Sequence, residues 1–248
     1  RLLPTPSLAL RQSRAVAREM ADCAVRALNN ALTALDHNTP ELAQSIRDDE
    51  ELCDHYEDIL GTYLVKLSTQ KLGRDESEEA TELLKTIGDF ERVSDHAVNI
   101  IKTAQEIRDK DIKFSEEALN DLSVLEAAVQ DIVNRTVDAF QKCDTYAAGK
   151  IEPLEQVVDG LVREVKTRHI ARLQAGVCTI EYGFVLDDLL TNYERIADHC
   201  SNIAVCVSQI HSGSFDTHEY LHALKKEEEF ESEYKELKKQ NQLPTLKA

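Results

Sequence analysis

Glu91-Arg92-Val93-Ser94-Asp95-His96-Ala97-Val98-Asn99-Ile100 recurs 103 positions later as Glu194-Arg195-Ile196-Ala197-Asp198-His199-Cys200-Ser201-Asn202-Ile203. Six of the ten positions are identical, and Val93 against Ile196 keeps a branched apolar side chain. An α-helix turns by about 100° per residue, so Glu, Asp and Asn spaced four apart form a slowly drifting stripe. Leu84, Ile87 and Val98 fall within roughly 40° of Glu91 on the same wheel. The acidic stripe therefore shares a sector with residues that should be buried. A carboxylate withdrawn from water needs a partner.

The repeat extends outward from this stretch. Glu50-x-x-x-Asp54 matches Glu155-x-x-x-Asp159, 105 positions later, and Asn29 and Ala34 match Asn134 and Ala139 at the same spacing. The two-residue difference between the offsets is what a loop absorbs. A helical unit of about 100 residues has been duplicated, which predicts two three-helix bundles packed side by side.

Composition agrees. Leu, Glu and Ala are the commonest residues, with eight Gly, five Pro and no Trp, which favours long helices over a turn-rich β fold. Breaks fall at Asn38-Thr39-Pro40, where Thr39 is a good N-cap and Pro40 a good first helical residue, and at Gly73-Arg74-Asp75. Further breaks fall before Ser115-Glu116-Glu117, at Ala175-Gly176 and at Ser212-Gly213-Ser214. They predict helices over 8–37, 40–72, 75–110, 115–143, 146–174 and 179–211. The expected fold is all-α: duplicated three-helix bundles, six long helices in all, with a C-terminal amphipathic helix carrying Tyr220, Leu221, Leu224, Phe230, Tyr234 and Leu237. The expected organisation is a lead-in linker 1–7, whose prolines oppose helix, a first bundle 8–112, a second bundle 113–212, and the C-terminal helix and tail 213–248.

The formal charge of −17 repels phosphate backbones, and no local basic stripe offsets it, so nucleic acid is not an expected partner. None of the six cysteines forms a Cys-x-x-Cys pair, and most sit inside helical patterns, as free thiols in a reducing compartment do. No apolar run is long enough to span a bilayer.

Each half thus carries two Glu-x-x-x-Asp pairs on different helices. Ile46, Cys53 and Leu64 share the sector of Glu50, and Ile151, Val158 and Val162 that of Glu155, so all four pairs face inward or line a helix–helix groove. Four converging carboxylates repel one another unless protonated or metallated. The candidate metal ligands are Glu50, Asp54, Glu91, Asp95, Glu155, Asp159, Glu194 and Asp198, with Glu57, Asn99, Asp187 and Asn202 as further oxygen donors. An isolated Glu-x-x-x-Asp is more simply a pair held by Arg or Lys in a polar layer that fixes bundle register. Four in duplicated register favour a cation. An all-oxygen donor set suits hard cations, although carboxylate-rich sites also take iron. Glu-x-x-His, which di-iron bundles use, occurs in neither repeated half, its one instance being Glu219–His222 near the C-terminus, and His96 and His199 are turned about 100° from the preceding Asp, toward the flank. No phosphate loop, Gly-x-Ser-x-Gly or paired nucleophile argues for an enzyme.

The two decapeptides resemble the paired signature of the PhoU family, Glu/Asp-x-x-x-Asp often extended to Asn, once in each of two three-helix bundles. The resemblance covers residues 8–212. It implies a non-enzymatic regulator of phosphate transport and homeostasis that binds metal ions, in multinuclear clusters, through these acidic motifs; iron, zinc, manganese and magnesium are the expected identities. The alternative is a structural adaptor or dimerisation bundle without metal. Leu2-Leu3-Pro4-Thr5-Pro6-Ser7-Leu8-Ala9-Leu10 resembles the segment after the last membrane helix of bacterial sodium/phosphate cotransporter-like proteins, and His218-Glu219-Tyr220-Leu221-His222 resembles their C-terminal extension. These ends imply a cytoplasmic domain tethered to the inner face of the membrane, with the transporter region of the same chain as partner. Phosphate as a ligand and a homodimer are compatible with this expectation.

Overall fold

The computed structural model describes residues 5–212, 221 and 228–246. Among the described residues eight helices follow in order: α1 (Pro6–His37), α2 (Pro40–Ser68), α3 (Arg74–Asp109), α4 (Glu116–Lys142), α5 (Thr145–Gly149), α6 (Ile151–Gln174), α7 (Ile180–Ser212) and α8 (Glu228–Gln240). No strand occurs among the described residues. The expected all-α fold is the observed one.

Helix starts follow the expected capping chemistry. Leu42 N–H donates to the Thr39 hydroxyl at 3.1 Å, and Ala118 N–H to that of Ser115 at 3.2 Å. Two boundaries differ from expectation. Pro6 does not oppose helix but opens α1, because a proline at the first helical position gives up a donor that would have no partner anyway. The helix expected over 146–174 is broken at Lys150 into α5 and α6. Pro153 explains the break, since its ring would clash with the Gly149 carbonyl four residues earlier in a continuous helix. In addition, α2 ends at Ser68 rather than Leu72. Of the expected C-terminal apolar positions, Tyr220 and Leu224 lie outside the described residues, as do Gly213 and Ser214.

The helices α1, α2 and α3 pack on one another, as do α4, α6 and α7, while α3 against α7 and α1 against α4 join the two sets. Alanines 9, 17, 21, 24, 27, 31 and 34 of α1 are buried, and their small side chains let α1 lie close to its neighbours. Phe90 of α3 meets Phe140 of α4 edge to face, with ring centroids 5.0 Å apart. Asn29 Nδ2 donates to Asn134 Oδ1 at 3.1 Å, so two positions related by the repeat touch each other where the halves meet. All six cysteines are free, and Cys23, Cys53, Cys200 and Cys206 are buried.

Candidate functional site

The α2–α3 pair of the first half brings five of the candidate acids together. Glu50, Asp54 and Glu57 lie on α2, and Glu91 and Asp95 on α3. Glu50, Glu57 and Glu91 are half-buried while Asp54 and Asp95 are exposed, so the stripe lines a groove rather than entering the core. Burial, with Asp95, Glu57 and Asp54 nearby, pushes the Glu91 carboxyl up to about 7 against the weaker pull of Arg92. Glu50 is also raised, by burial and then by Asp95, which lies within hydrogen-bonding reach, and by Asp54. Among the described residues no Lys or Arg ion-pairs with any of the five. This cluster is electrostatically frustrated.

The second half builds the related groove differently. A cavity of about 590 Å³ is lined by Glu152, Glu155, Asp159 and Asp198, and also by Tyr234 of α8 and by Leu221. Asp198 is raised by burial, lowered by Arg195 and raised by Glu194 and Asp159. Here basic side chains intervene: Arg163 Nη1 is 2.8 Å from Asp159, and Arg195 Nη1 is 3.8 Å from Asp198. Val162 stands where the first half has Glu57, and Glu152 where it has Arg47.

Two proposed donors are placed elsewhere. Asp187 is exposed, pairs with Lys166 at 3.1 Å and borders an apolar groove at the start of α7, so it does not join the cluster. Asn99 is exposed, one turn beyond Asp95 on α3. Asn202 reaches across instead, its Nδ2 lying 3.4 Å from Asp89 Oδ1.

The histidines correct the reading of them as flank residues. His96 and His199 sit half-buried between α3 and α7 with ring centroids 5.6 Å apart. His199 Nδ1 lies 2.9 Å from Asp89 Oδ1, and His96 Nδ1 lies 2.8 Å from Asn192 Oδ1. Asn192 Nδ2 donates to the Asp188 carbonyl, which turns its oxygen toward His96 and places the proton on His96 Nδ1. Burial holds His96 below the ordinary imidazole range, although the Asn192 bond works the other way. Asp89 and Asn192 are 103 apart, like the two histidines, so the same clasp is made twice. The 100° turn from Asp95 to His96 carries the ring off the acidic groove and into the seam between the halves.

The deeply buried acids are a different set, and each has a partner. Arg26 Nε donates to Asp49 at 3.0 Å, Arg168 Nη1 to Asp121 at 2.8 Å, Lys85 Nζ to Glu82 at 2.8 Å, and the Ser201 hydroxyl to Glu152. The Cys206 thiol also donates to Glu82, at 3.0 Å, and its pKa is pushed far up by burial and by that carboxylate. Asp89 was legible in principle: Asp89-Phe90-Glu91 against Asn192-Tyr193-Glu194 extends the repeat two residues N-terminally. A cavity of about 670 Å³ between α2, α3 and α7, lined by Glu57, Glu82, Lys85, Asp89, Arg92 and Cys206, joins these residues to the first cluster.

The donor set of the first cluster fits a hard divalent cation. It is all oxygen, anionic and without an ion pair among the described residues, and bound positive charge would offset the burial and repulsion that raise Glu91. Among the described residues, no three Asp, Glu, His or Cys side chains converge on one point as they stand. Binding therefore requires rotamer changes of these partly exposed side chains.

Comparison with known proteins agrees with this architecture. The chain is 24% identical over 192 residues to a phosphate-specific transport system accessory protein PhoU homolog of Borreliella burgdorferi, covering 75% of this chain and 85% of that one. It is 22% identical over 191 residues to PhoU homolog 1 of Thermotoga maritima, covering 75% and 80%. The crystal structure of PhoU from Pseudomonas aeruginosa superposes with a TM-score of 0.77 at 20% identity, over 84% of this chain and 99% of that one. The phosphate transport system regulatory protein PhoU of Streptococcus pneumoniae gives 0.74 at 16% identity, over 86% and 99%. The family model described as PhoU domain matches residues 17–104 and 122–207, one stretch in each half, and this chain belongs to the PhoU domain family.

Proposed function

We propose that this chain is a regulatory domain controlling phosphate transport, with the α2–α3 carboxylate cluster as a divalent-cation site. Family membership supports the regulatory part, since PhoU proteins are accessory regulators and not enzymes. The observation that carries the cation reading is five carboxylates gathered in one groove without an ion pair, where burial and then Asp95, Glu57 and Asp54 raise Glu91 to about 7. Glu50, Glu91 and Asp95 are the ligands, with Asp54 and Glu57 supplying further oxygens. A bound cation neutralises the groove and presents positive charge to phosphate or to an acidic loop of a partner. Magnesium, manganese, calcium or iron suit the oxygen donors; zinc is less favoured by a set that lacks nitrogen and sulfur. No described helix is long and apolar enough to cross a membrane. The partner we propose is a phosphate transporter, either separate or, by the likeness of the end segments to sodium/phosphate cotransporter-like chains, attached to this domain.

Metal content of protein purified without chelator, together with melting in EDTA and in millimolar Mn²⁺ or Mg²⁺, tests the cation site. Stabilisation by cation that is lost in Glu91→Gln/Asp95→Asn is the expected result. A protein without metal whose melting ignores divalent cations removes that part and leaves the regulatory reading standing. One observation favours a structural role for the second half: Arg163 and Arg195 already pair with Asp159 and Asp198. On that basis Glu155, Asp159, Glu194 and Asp198 form the weaker cation site of the two.

A further inference from the structure

The two halves treat one helix face in opposite ways. Helix α8 packs on α6, with Phe230 and Leu237 buried and Tyr234 against the core, an i, i+4, i+7 stripe. Beneath it, Val157 and Leu161 are 4% and 5% exposed. The repeat offset of 105 maps these two residues onto Leu52 and Tyr56 of α2, and extends the same face to Ile59 and Tyr63. No described helix covers Leu52, 38% exposed, or Ile59, 56% exposed, while Tyr56 and Tyr63 are half-buried on the edge nearer the core. The four residues fall within about 60° on the helical wheel, the spacing a docked helix needs. The family match ends at residue 207, before α8, and among the described residues no equivalent helix lies on the first half.

We infer that the α2 face of Leu52, Tyr56, Ile59 and Tyr63 is the docking surface for a basic amphipathic helix of a partner protein. Charge decides the occupant. Helix α8 opens with Glu228, Glu229, Glu231 and Glu233, and it is met by Lys150, whose Nζ is 3.3 Å from Glu233. The position equivalent to Lys150 in the first half is Ser45. Asp48 borders the open stripe near one end and Lys66 near the other, the exposed Glu51 and Asp58 lie on the adjoining outer face, and Glu19 of α1 accepts from the Tyr56 hydroxyl at 3.0 Å, so acids outnumber bases around it. A second copy of α8 would bring acid to acid. A helix with lysine or arginine around apolar residues at i, i+4 and i+7 is complementary in both charge and spacing.

The test uses the protein with a labelled 13-residue peptide of the α8 sequence in which the five glutamates are replaced by lysine. Anisotropy should report micromolar binding, weakened at least tenfold by Leu52→Glu/Ile59→Glu and again by the uncharged Leu52→Ser/Ile59→Ser. Adding two negative charges would strengthen unspecific attraction to an acidic protein, so unchanged or tighter binding by the glutamate variant overturns the proposal. So does absence of binding to the wild type, or equal binding of the native acidic peptide. Sedimentation that shows a dimer dissolved by these substitutions would assign the face to a second copy and overturn it too. Circular dichroism confirms that the variants, altered only at exposed positions, retain the fold.

Discussion

Glu91→Gln should stabilise the metal-free protein at pH 8. Glu91 titrates near 7 in the folded chain against an ordinary value of 4.5. Between those values the folded state binds more protons than the unfolded one, so stability falls as pH rises through that window. The whole shift corresponds to about 3.4 kcal/mol at 1.36 kcal/mol per unit. Water reaches this half-buried group and screens its neighbours, which reduces the recoverable gain to roughly 1–2 kcal/mol. For a chain of this size that raises the melting temperature by about 2–8 °C. Paired melts of wild type and variant in EDTA at pH 5 and pH 8 read the effect directly. The gain should be present at pH 8 and shrink toward zero at pH 5, where Glu91 is protonated in the folded wild type. A variant less stable than wild type at pH 8, or a difference independent of pH, refutes the frustrated-cluster reasoning and favours a salt-bridged Glu91. In millimolar Mn²⁺ the order should reverse, because the wild type gains cation binding that Gln cannot supply.

Arg26→Ala strands the Asp49 carboxylate, 7% exposed, and should cost about 3 kcal/mol in urea melts. Adding Asp49→Leu, the residue the other half uses as Leu154, should recover most of that loss; no recovery would mean Arg26 acts through packing. Gly183→Ala places a Cβ 2.8 Å from His169 Nε2 and should destabilise by about 1–2 kcal/mol, a cost largely absent when His169→Ala is already present. Tyr193→Phe removes the donor that Glu126 accepts from at 2.8 Å. Burial already holds Glu126 at about 7, so the loss of roughly 1–2 kcal/mol should be larger at pH 8, where the unbonded carboxylate is charged, than at pH 5. Equal losses at both pH values would show that Glu126 stays protonated.

The fold was legible because duplication and periodicity reported the same helices twice. Thr39-Pro40 and Ser115-Glu116 marked helix starts by local chemistry that tertiary packing had no reason to override. Pro153 was missed as a breaker, although its clash with the carbonyl four residues back is equally local. The candidate acids were found by spacing, which gives a helix face but not its depth. Spacing left Glu91 and Asp95 either facing inward or lining a groove, and the half-buried Glu91 beside the exposed Asp95 corresponds to the groove. The buried acids Asp89, Asp49 and Asp121 were not singled out, because each is held by a partner on another helix: His199, Arg26 and Arg168. Sequence spacing within one helix carries no record of such pairings. Asp187 fails for a related reason, since its offset matched Leu84 while the start of α7 carries it to Lys166.

The histidine clasp between α3 and α7 has the form of an interface between identical subunits, in which residue i meets j and j′ meets i′ about a two-fold axis. Asn29 against Asn134 lies on the same relation. In a true homodimer any substitution appears on both sides at once. One continuous chain is released from that constraint, and Asp89 opposite Asn192 shows the release in use: one clasp carries a carboxylate and the other a neutral amide. Each half can thus be tuned alone while the seam that joins them keeps its geometry.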